Sequence, residues 1–288
     1  MTKNYLFDLI LLLAFVMGGL LLANLLLLFI FWMNGSDFSE ISNMNNLDAL
    51  SSTQLMIAQL SSHVIGLILP AFLLTKISKS INPYLSEHSF SSSNFVKCIL
   101  LFVLVLPLVS YTAYLNQQIL LPEWMQSNEE KLQEMINKLL HFDHWSDLIL
   151  AVITIGIIPG FGEEWIFRGI IQTRTQLLLK NKWIAILITS ILFSAIHMQF
   201  EGFLPRFLLG FILGYIFSLT KNIWYPILLH IGFNSTQVIA SYYLGIEMLD
   251  EKMKLDKAPL HWMAAICLTL GTIGVIYYFE KKEKSTYA

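Results

Sequence analysis

Residues 160–170 read GFGEEWIFRGI, and they place Glu163, Glu164 and Arg168 inside one of the most apolar runs of the chain. A charge near the centre of a bilayer costs about 2.5 kcal/mol or more on insertion scales. Ionisable groups packed this densely in an apolar run therefore have to compensate one another or serve a function. Glu164 and Arg168 are four residues apart, on one face of a helix, and can pair. Glu163 points about 100° away around the same helix. Arg168 is poorly placed to serve it, so Glu163 is the free acid of the three and the candidate for chemistry. Pro159 and Gly160 precede the cluster, where a proline can kink or break a helix.

The surroundings of this stretch make it a membrane helix. The chain has 288 residues, of which 56% are hydrophobic and 13% charged, a composition that argues against a soluble domain. Crossing a hydrocarbon core of about 30 Å takes roughly 20 apolar residues. The segments 9–33, 54–75, 95–116, 146–171, 183–200, 203–220, 223–244 and 260–279 reach or approach that length. They consume most of the chain and leave no room for a separate soluble domain. The expected fold class is all-α, a polytopic membrane helix bundle of about eight transmembrane helices. The first block exceeds a signal-peptide core of about 7–15 residues, so it reads as a retained span.

Loop charges set the expected orientation. Lys76, Lys79 and Lys97 flank one loop; Arg174, Lys180 and Lys182 follow the fourth span; Lys221 follows the sixth; Lys281, Lys282 and Lys284 end the chain. The alternate loops carry Asp37, Glu40 and Asp48, then Glu123, Glu129 and Glu130, then Glu247, Asp250 and Glu251. By the positive-inside rule both termini are expected in the cytoplasm. Between the third and fourth spans, Leu132, Met135, Ile136, Leu139 and Leu140 recur at helical spacing among charged residues. That pattern predicts an amphipathic helix along the membrane surface or across the end of the bundle. The net charge of −2, with no dense basic cluster, excludes nucleic acid as an expected partner. Cys98 and Cys267 lie in separate spans without a CxxC motif and read as small apolar residues.

Two further polar groups interrupt apolar spans. Phe193 and His197 share one helix face in the fifth span, and His230 and Asn234 are one turn apart on the seventh. Each is costly alone in lipid, and together with Glu163 they can satisfy one another around a small wet cavity. Counting the rise along each span puts His197 nearer the outer side than Glu163 and His230. His63, behind Ser61 and Ser62, reads as a helix–helix hydrogen-bonding residue outside this set. His141 and His144 have HxxH spacing but stand beside Asp143 in an outer loop, a solvated face.

These groups suit hydrolysis. A carboxylate and an imidazole can hold and deprotonate a water. An imidazole and an amide N–H can stabilise a tetrahedral oxyanion. Two His and one Glu are also a common catalytic zinc set, although HExxH is absent. Ser194 and Ser235 adjoin the motifs without a GxSxG elbow.

EExxxR (Glu163, Glu164, Arg168), FxxxH (Phe193, His197) and HxxxN (His230, Asn234) occur in that order on separate spans. Together they resemble the signature of the CAAX-protease and bacteriocin-processing family of intramembrane proteases, over about residues 146–244. The resemblance implies an endopeptidase that hydrolyses a peptide bond of a membrane-associated peptide or protein. Glu163 and His197 would activate water, and His230 and Asn234 would form the oxyanion site. Glu164 and Arg168 would orient or support the glutamate, and Phe193 would shape the substrate pocket. Zinc, with Glu163, His197 and His230 as candidate ligands, and a metal-free glutamate mechanism both stay open. The implied division is 1–145 for three spans and the amphipathic helix, 146–244 for the catalytic core, and 245–288 for an outer loop and the last span.

The chain's compactness and the lack of a targeting extension point to a bacterial cytoplasmic membrane. Membrane lipid and a membrane-associated peptide are the expected partners. Bacteria generally do not prenylate CAAX proteins, so membrane peptides, bacteriocin leaders or self-immunity form the more natural setting. The rival readings are a non-catalytic membrane scaffold or bacteriocin self-immunity protein, and a small proton-coupled transporter, for which no inverted repeat is visible.

Overall fold

The computed structural model describes residues 4–33, 51–78, 89–245 and 258–286. The described residues form nine helices and no strand. We label them α1 (Tyr5–Met33), α2 (Ser52–Ile77), α3 (Ser92–Gln117), α4 (Glu123–Leu139), α5 (Trp145–Leu179), α6 (Lys182–Ala195), α7 (Phe203–Thr220), α8 (Trp224–Leu244) and α9 (Trp262–Thr286). The loop residues Asp37, Glu40, Asp48, Lys79, Glu247, Asp250 and Glu251, on which part of the orientation expectation rests, lie outside the described residues.

Local sequence explains where several helices begin and end. Ser51 and Gln54 form a reciprocal capping box at the start of α2, with Oγ and Oε1 each accepting the other's backbone N–H. Asn181 Oδ1 accepts the amides of Trp183 and Ile184 and opens α6. Lys180 and Lys221, at φ 53° and 51°, close α5 and α7 in the left-handed conformation that ends many helices.

Among the described residues, α1, α2, α3, α5, α7 and α9 contain stretches long and apolar enough to cross a membrane. The expected count of eight adds two helices of another character. α6 is apolar but only 14 residues long. α8 has 21 residues and carries His230, Asn234, Ser235 and Gln237 along its length. The fifth span was expected over 183–200, and its helix stops at Ala195. Met198 then takes φ +54°, which no continuing helix permits.

The bundle turns apolar side chains outward: Leu13, Met17 and Leu21 of α1 and Tyr277 of α9 are all more than half exposed. This suits lipid, and it means that helices associate by packing and hydrogen bonds rather than by expelling water. Two inner clusters result. One joins α3, α6, α7 and α8 through Phe102, Val105, Ile186, Ile212, Tyr225 and Leu229. The other joins α1, α2, α5 and α6 through Leu12, Leu74, Ile166, Phe167, Ile170 and Phe193. Polar ties reinforce them. Arg168 and Gln172, one turn apart on α5, donate to the carbonyls of Gly210 and Gly214 on α7 at 3.0 and 2.9 Å. Arg174 Nε pairs with Asp8 Oδ2 at 2.9 Å and ties α5 to α1.

The amphipathic helix is α4. Its apolar stripe ends in buried Leu139, which packs with Met135 and Leu140 on Leu55 and Met56 of α2 and Ala151 of α5. It therefore caps one end of the bundle.

Candidate active site

Glu163 and Glu164 lie in a short α-helical stretch of α5, Ile158–Glu164, bounded by two π-helical stretches, Val152–Ile157 and Trp165–Gln172. α2 contains a third, Val64–Ile68, directly after His63. Such widened turns recur at functional sites because they re-aim side chains without ending the helix. Of the two outcomes open at Pro159, a kink or a break, the break does not occur; α5 runs through it, changing from π to α geometry at Ile158. Pro159 has no N–H to offer the carbonyl of Ile155, one turn back. That carbonyl accepts from Asn234 Nδ2 at 3.3 Å, so a side chain of α8 enters where the helix ladder is incomplete. Gly160 makes the approach possible: a Cβ there would stand 2.8 Å from Ile231 Cγ1 and 3.0 Å from Ile231 N.

The two glutamates face different partners, as their angular offset requires. Glu164 is fully buried, and its Oε1 accepts from Arg168 Nη1 at 2.7 Å and from His230 Nδ1 at 2.8 Å. Its direct support therefore goes to His230, whereas the motif resemblance had assigned it to Glu163. Glu163 is 6% exposed and is ringed by imidazoles. His63 Nε2 is 3.2 Å from Oε1; His230 Nε2 and His197 Nε2 are 3.9 and 4.0 Å from Oε2.

His63 makes the helix–helix hydrogen bond expected of it, but its partner is Glu163, so it belongs to the site rather than outside it, and Glu163 leaves the class of unpaired acids. The sequence signal was the pair Gln59 and His63, one turn apart in an apolar span. His197 stands on the turn after α6 rather than within the helix, and from there its Nε2 comes within 4.0 Å of Glu163 Oε2. His141, 3.5 Å from Asp143 and largely exposed, is no part of this cluster.

The partners assign the tautomers. His63 Nδ1 lies 3.0 Å from the Gln59 carbonyl, His197 Nδ1 2.8 Å from the Phe193 carbonyl, and His230 Nδ1 2.8 Å from Glu164 Oε1. All three partners are acceptors, so each Nδ1 carries a proton. In the neutral ring each Nε2 is then a lone pair turned toward Glu163. At 3.2 Å, His63 Nε2 and Glu163 Oε1 require one proton between them. The gaps of 3.9 and 4.0 Å at Oε2 exceed a direct hydrogen bond and suit a single bridging water.

Phe193 is the apolar wall of this site. Its buried ring meets Phe167, His197 and His230 edge-on, with centroids 5.2, 5.2 and 5.8 Å away. The Arg168 guanidinium lies 4.7 Å from its ring centre. Six of the seven residues singled out by the three motifs thus form one connected neighbourhood, which His63 completes from α2; Asn234, one turn from His230 on α8, meets the Ile155 carbonyl instead.

The arrangement does not fit zinc as it stands. Ligand atoms around a tetrahedral zinc are about 3.3–3.4 Å apart when its bonds are about 2.0–2.1 Å. The Oε2 separations of 3.9 and 4.0 Å are wider. Among the described residues no group of three or more His, Cys, Asp or Glu is placed to hold a metal ion.

Comparison with known proteins converges on the same segment. Residues 145–236 match the family model described as type II CAAX prenyl endopeptidase Rce1-like. An "Uncharacterized 24.3 kDa protein" of Escherichia coli is 35% identical over 88 residues, 29% of this chain and 41% of that protein. A Bacillus subtilis (strain 168) protein named "Putative membrane peptidase YdiL" is 32% identical over 94 residues, 31% of this chain and 36% of that protein. The chain thus spans about two fifths of the length of these curated relatives. No solved structure matches. The family resemblance carried by the three motifs accordingly holds over residues 145–236, and the six long apolar helices among the described residues make the chain a multi-pass membrane protein.

Proposed function

We propose that the protein is an intramembrane endopeptidase in which Glu163, braced by His63, activates a water held beside His197 and His230. The observation that carries this reading is one buried carboxylate faced by three imidazole Nε2 atoms, each with its Nδ1 tied to an acceptor. Residues 146–244 form its catalytic core, and α2 adds His63.

The reaction starts with the shared proton on His63, so that Glu163 is a carboxylate. A water donates to Glu163 Oε2 and to the His197 lone pair. Glu163 takes one proton as the water oxygen attacks the peptide carbonyl carbon, a role worth about 10²–10⁴-fold. The tetrahedral oxyanion is met by an N–H of the Asn234 amide and by His230 Nε2, with His230 entering the reaction as an imidazolium protonated on both ring nitrogens and leaving it unchanged. Glu164, fixed by Arg168, stabilises the charge on that ring, as a carboxylate behind a catalytic imidazole does in other hydrolases. Each oxyanion donor contributes about 10²–10³-fold. As the C–N bond breaks, the proton on Glu163 passes to the leaving amine, and Glu163 returns to its starting state. Phe193 keeps one side of the site dry.

The substrate is a membrane-associated peptide or protein reached from surrounding lipid, and the setting is the bacterial cytoplasmic membrane with both termini in the cytoplasm. The test is full-length protein in liposomes with candidate membrane peptides, with new termini read by mass spectrometry. The wild type is expected to generate them and His197→Ala is not. Equal cleavage by both would remove the proposal.

A further inference from the structure

We propose that Glu129 of α4 is a positioning residue for His197; the proposal rests on the reading of His197 as the group that orients the attacking water. His197 sits beyond the helix that leads to it. Its own amide reaches only the Ser194 carbonyl, at 3.4 Å, and the next residue, Met198, has φ +54°. A non-glycine residue stays in that region when its surroundings hold it there.

The surroundings are specific. The Glu129 Oε1 atom accepts the amide of Phe200 and, at 3.2 Å, the amide of Glu201. Asn128 Nδ2 donates to the Met198 carbonyl at 2.9 Å. From α3, Asn116 Nδ2 donates to the Phe200 carbonyl and its Oδ1 accepts the amide of Leu204, both at 2.7 Å. Trp124 of α4 places its ring edge-on to Phe200 at 5.5 Å. The backbone groups that a turn leaves without helix partners are thus met by side chains of α4 and α3.

The pattern of α4 supports a dedicated role. Its inward face is apolar where it packs, at Leu132, Met135, Ile136 and Leu139. One turn earlier the same face carries Asn128 and Glu129, half-buried and polar. A helix built only to cap a bundle would continue the apolar stripe. A carboxylate there gains charge-assisted hydrogen bonds from two backbone amides, which are stronger and more directional than neutral ones. The other end of α4 rests on Leu55 and Met56 of α2, the helix that carries His63. α4 is therefore a strut between two of the imidazoles that face Glu163, and Glu129 is its charged contact with the His197 turn, beside Asn128 and Trp124.

The test uses the full chain in liposomes. The probe is a quenched fluorescent peptide with an apolar membrane segment, selected because the wild type cleaves it and His197→Ala does not. Failure to find such a peptide defeats the functional reading itself. With it in hand, Glu129→Ala is expected to lower kcat about 10–100-fold, the scale of a displacement near 1 Å, with KM within about twofold of the wild type. Glu129→Gln keeps an acceptor oxygen for both amides and is expected to recover most of kcat. Hydrogen exchange over 196–202 should rise in Glu129→Ala and stay low in Glu129→Gln. Wild-type kcat in Glu129→Ala, equal loss in both variants, or a change confined to KM overturns the proposal. If Glu129→Ala does not accumulate, Asn128→Ala reads the same tie through the Met198 carbonyl. A several-fold fall in kcat there supports the strut, and wild-type kcat refutes it.

Discussion

His63 Nε2 lies 3.2 Å from Glu163 Oε1, although 100 residues separate them in the chain. The bond occupies one carboxylate oxygen and leaves the other, Oε2, turned toward His197 and His230. Glu163 thus has a structural side and a reactive side. Removing the brace without touching the reactive side should slow the reaction rather than abolish it. His63→Ala is expected to reduce kcat about 10–100-fold, since a freed carboxylate samples unproductive orientations. His63→Gln, which can still donate to Oε1, should fall between that variant and the wild type. Steady-state cleavage of a membrane peptide in liposomes checks the ranking; unchanged kcat in His63→Ala would assign this residue to packing alone.

Arg168, Glu164 and His230 form a chain in which one carboxylate oxygen accepts at 2.7 and 2.8 Å. Arg168→Ala leaves a buried carboxylate without its charged partner and is expected to cost about 3–5 kcal/mol of stability. Arg168→Lys should rescue little, because the guanidinium also donates to the Gly210 carbonyl at 3.0 Å and an ammonium cannot span both. Thermal unfolding in detergent measures the first effect and cleavage the second. A fully stable Arg168→Ala protein would show that this ion pair contributes nothing net.

Close approach of α5 and α8 hinges on Gly160, where an added Cβ meets Ile231 backbone at 3.0 Å. Gly232, one residue further along α8, has open space at the same test. Gly160→Leu should therefore move His230 and Asn234 off Glu163 and lose at least about 10²-fold in kcat. Gly232→Ala should behave as wild type. Parallel assays of the two variants give the comparison, and similar activities would mean that α8 tolerates displacement.

The separations around Glu163 Oε2 are wider than a zinc set, so cleavage is expected to survive a strong chelator, and purified active protein to carry well under one zinc per chain. Elemental analysis and activity with and without chelator on a single preparation decide this. Loss of activity on chelation, restored by zinc, would show that the imidazoles close on a metal in the working enzyme.

The helical bundle was legible because apolar blocks of membrane length are hard to hide, and α4 because its stripe has a clear period. The motif residues were legible because lipid penalises charge, which makes Glu163, Arg168 and His230 conspicuous. Other features depend on tertiary placement. His63 stands with Gln59, Ser61 and Ser62 in an otherwise apolar span, and nothing local separates a brace of the site from an ordinary helix–helix hydrogen bond. The apolar pattern of the fifth span runs on to Phe200, while the helix stops at Ala195 because α4 and α3 capture the backbone that follows. Glu164 and Glu163 differ by one position, and only the location of α8 tells which of them His230 Nδ1 meets. Pro159 reads equally as a kink or a break, and only the flanking π turns and the Asn234 amide show how the helix continues through it.

The most direct test of the central claim is Glu163→Gln, which keeps the shape of the side chain and removes its ability to accept the water proton. Cleavage and binding of one membrane peptide are measured side by side on wild type and variant. The account predicts a fall in kcat of about 10²–10⁴-fold with Kd unchanged. Cleavage by Glu163→Gln at the wild-type rate would contradict it.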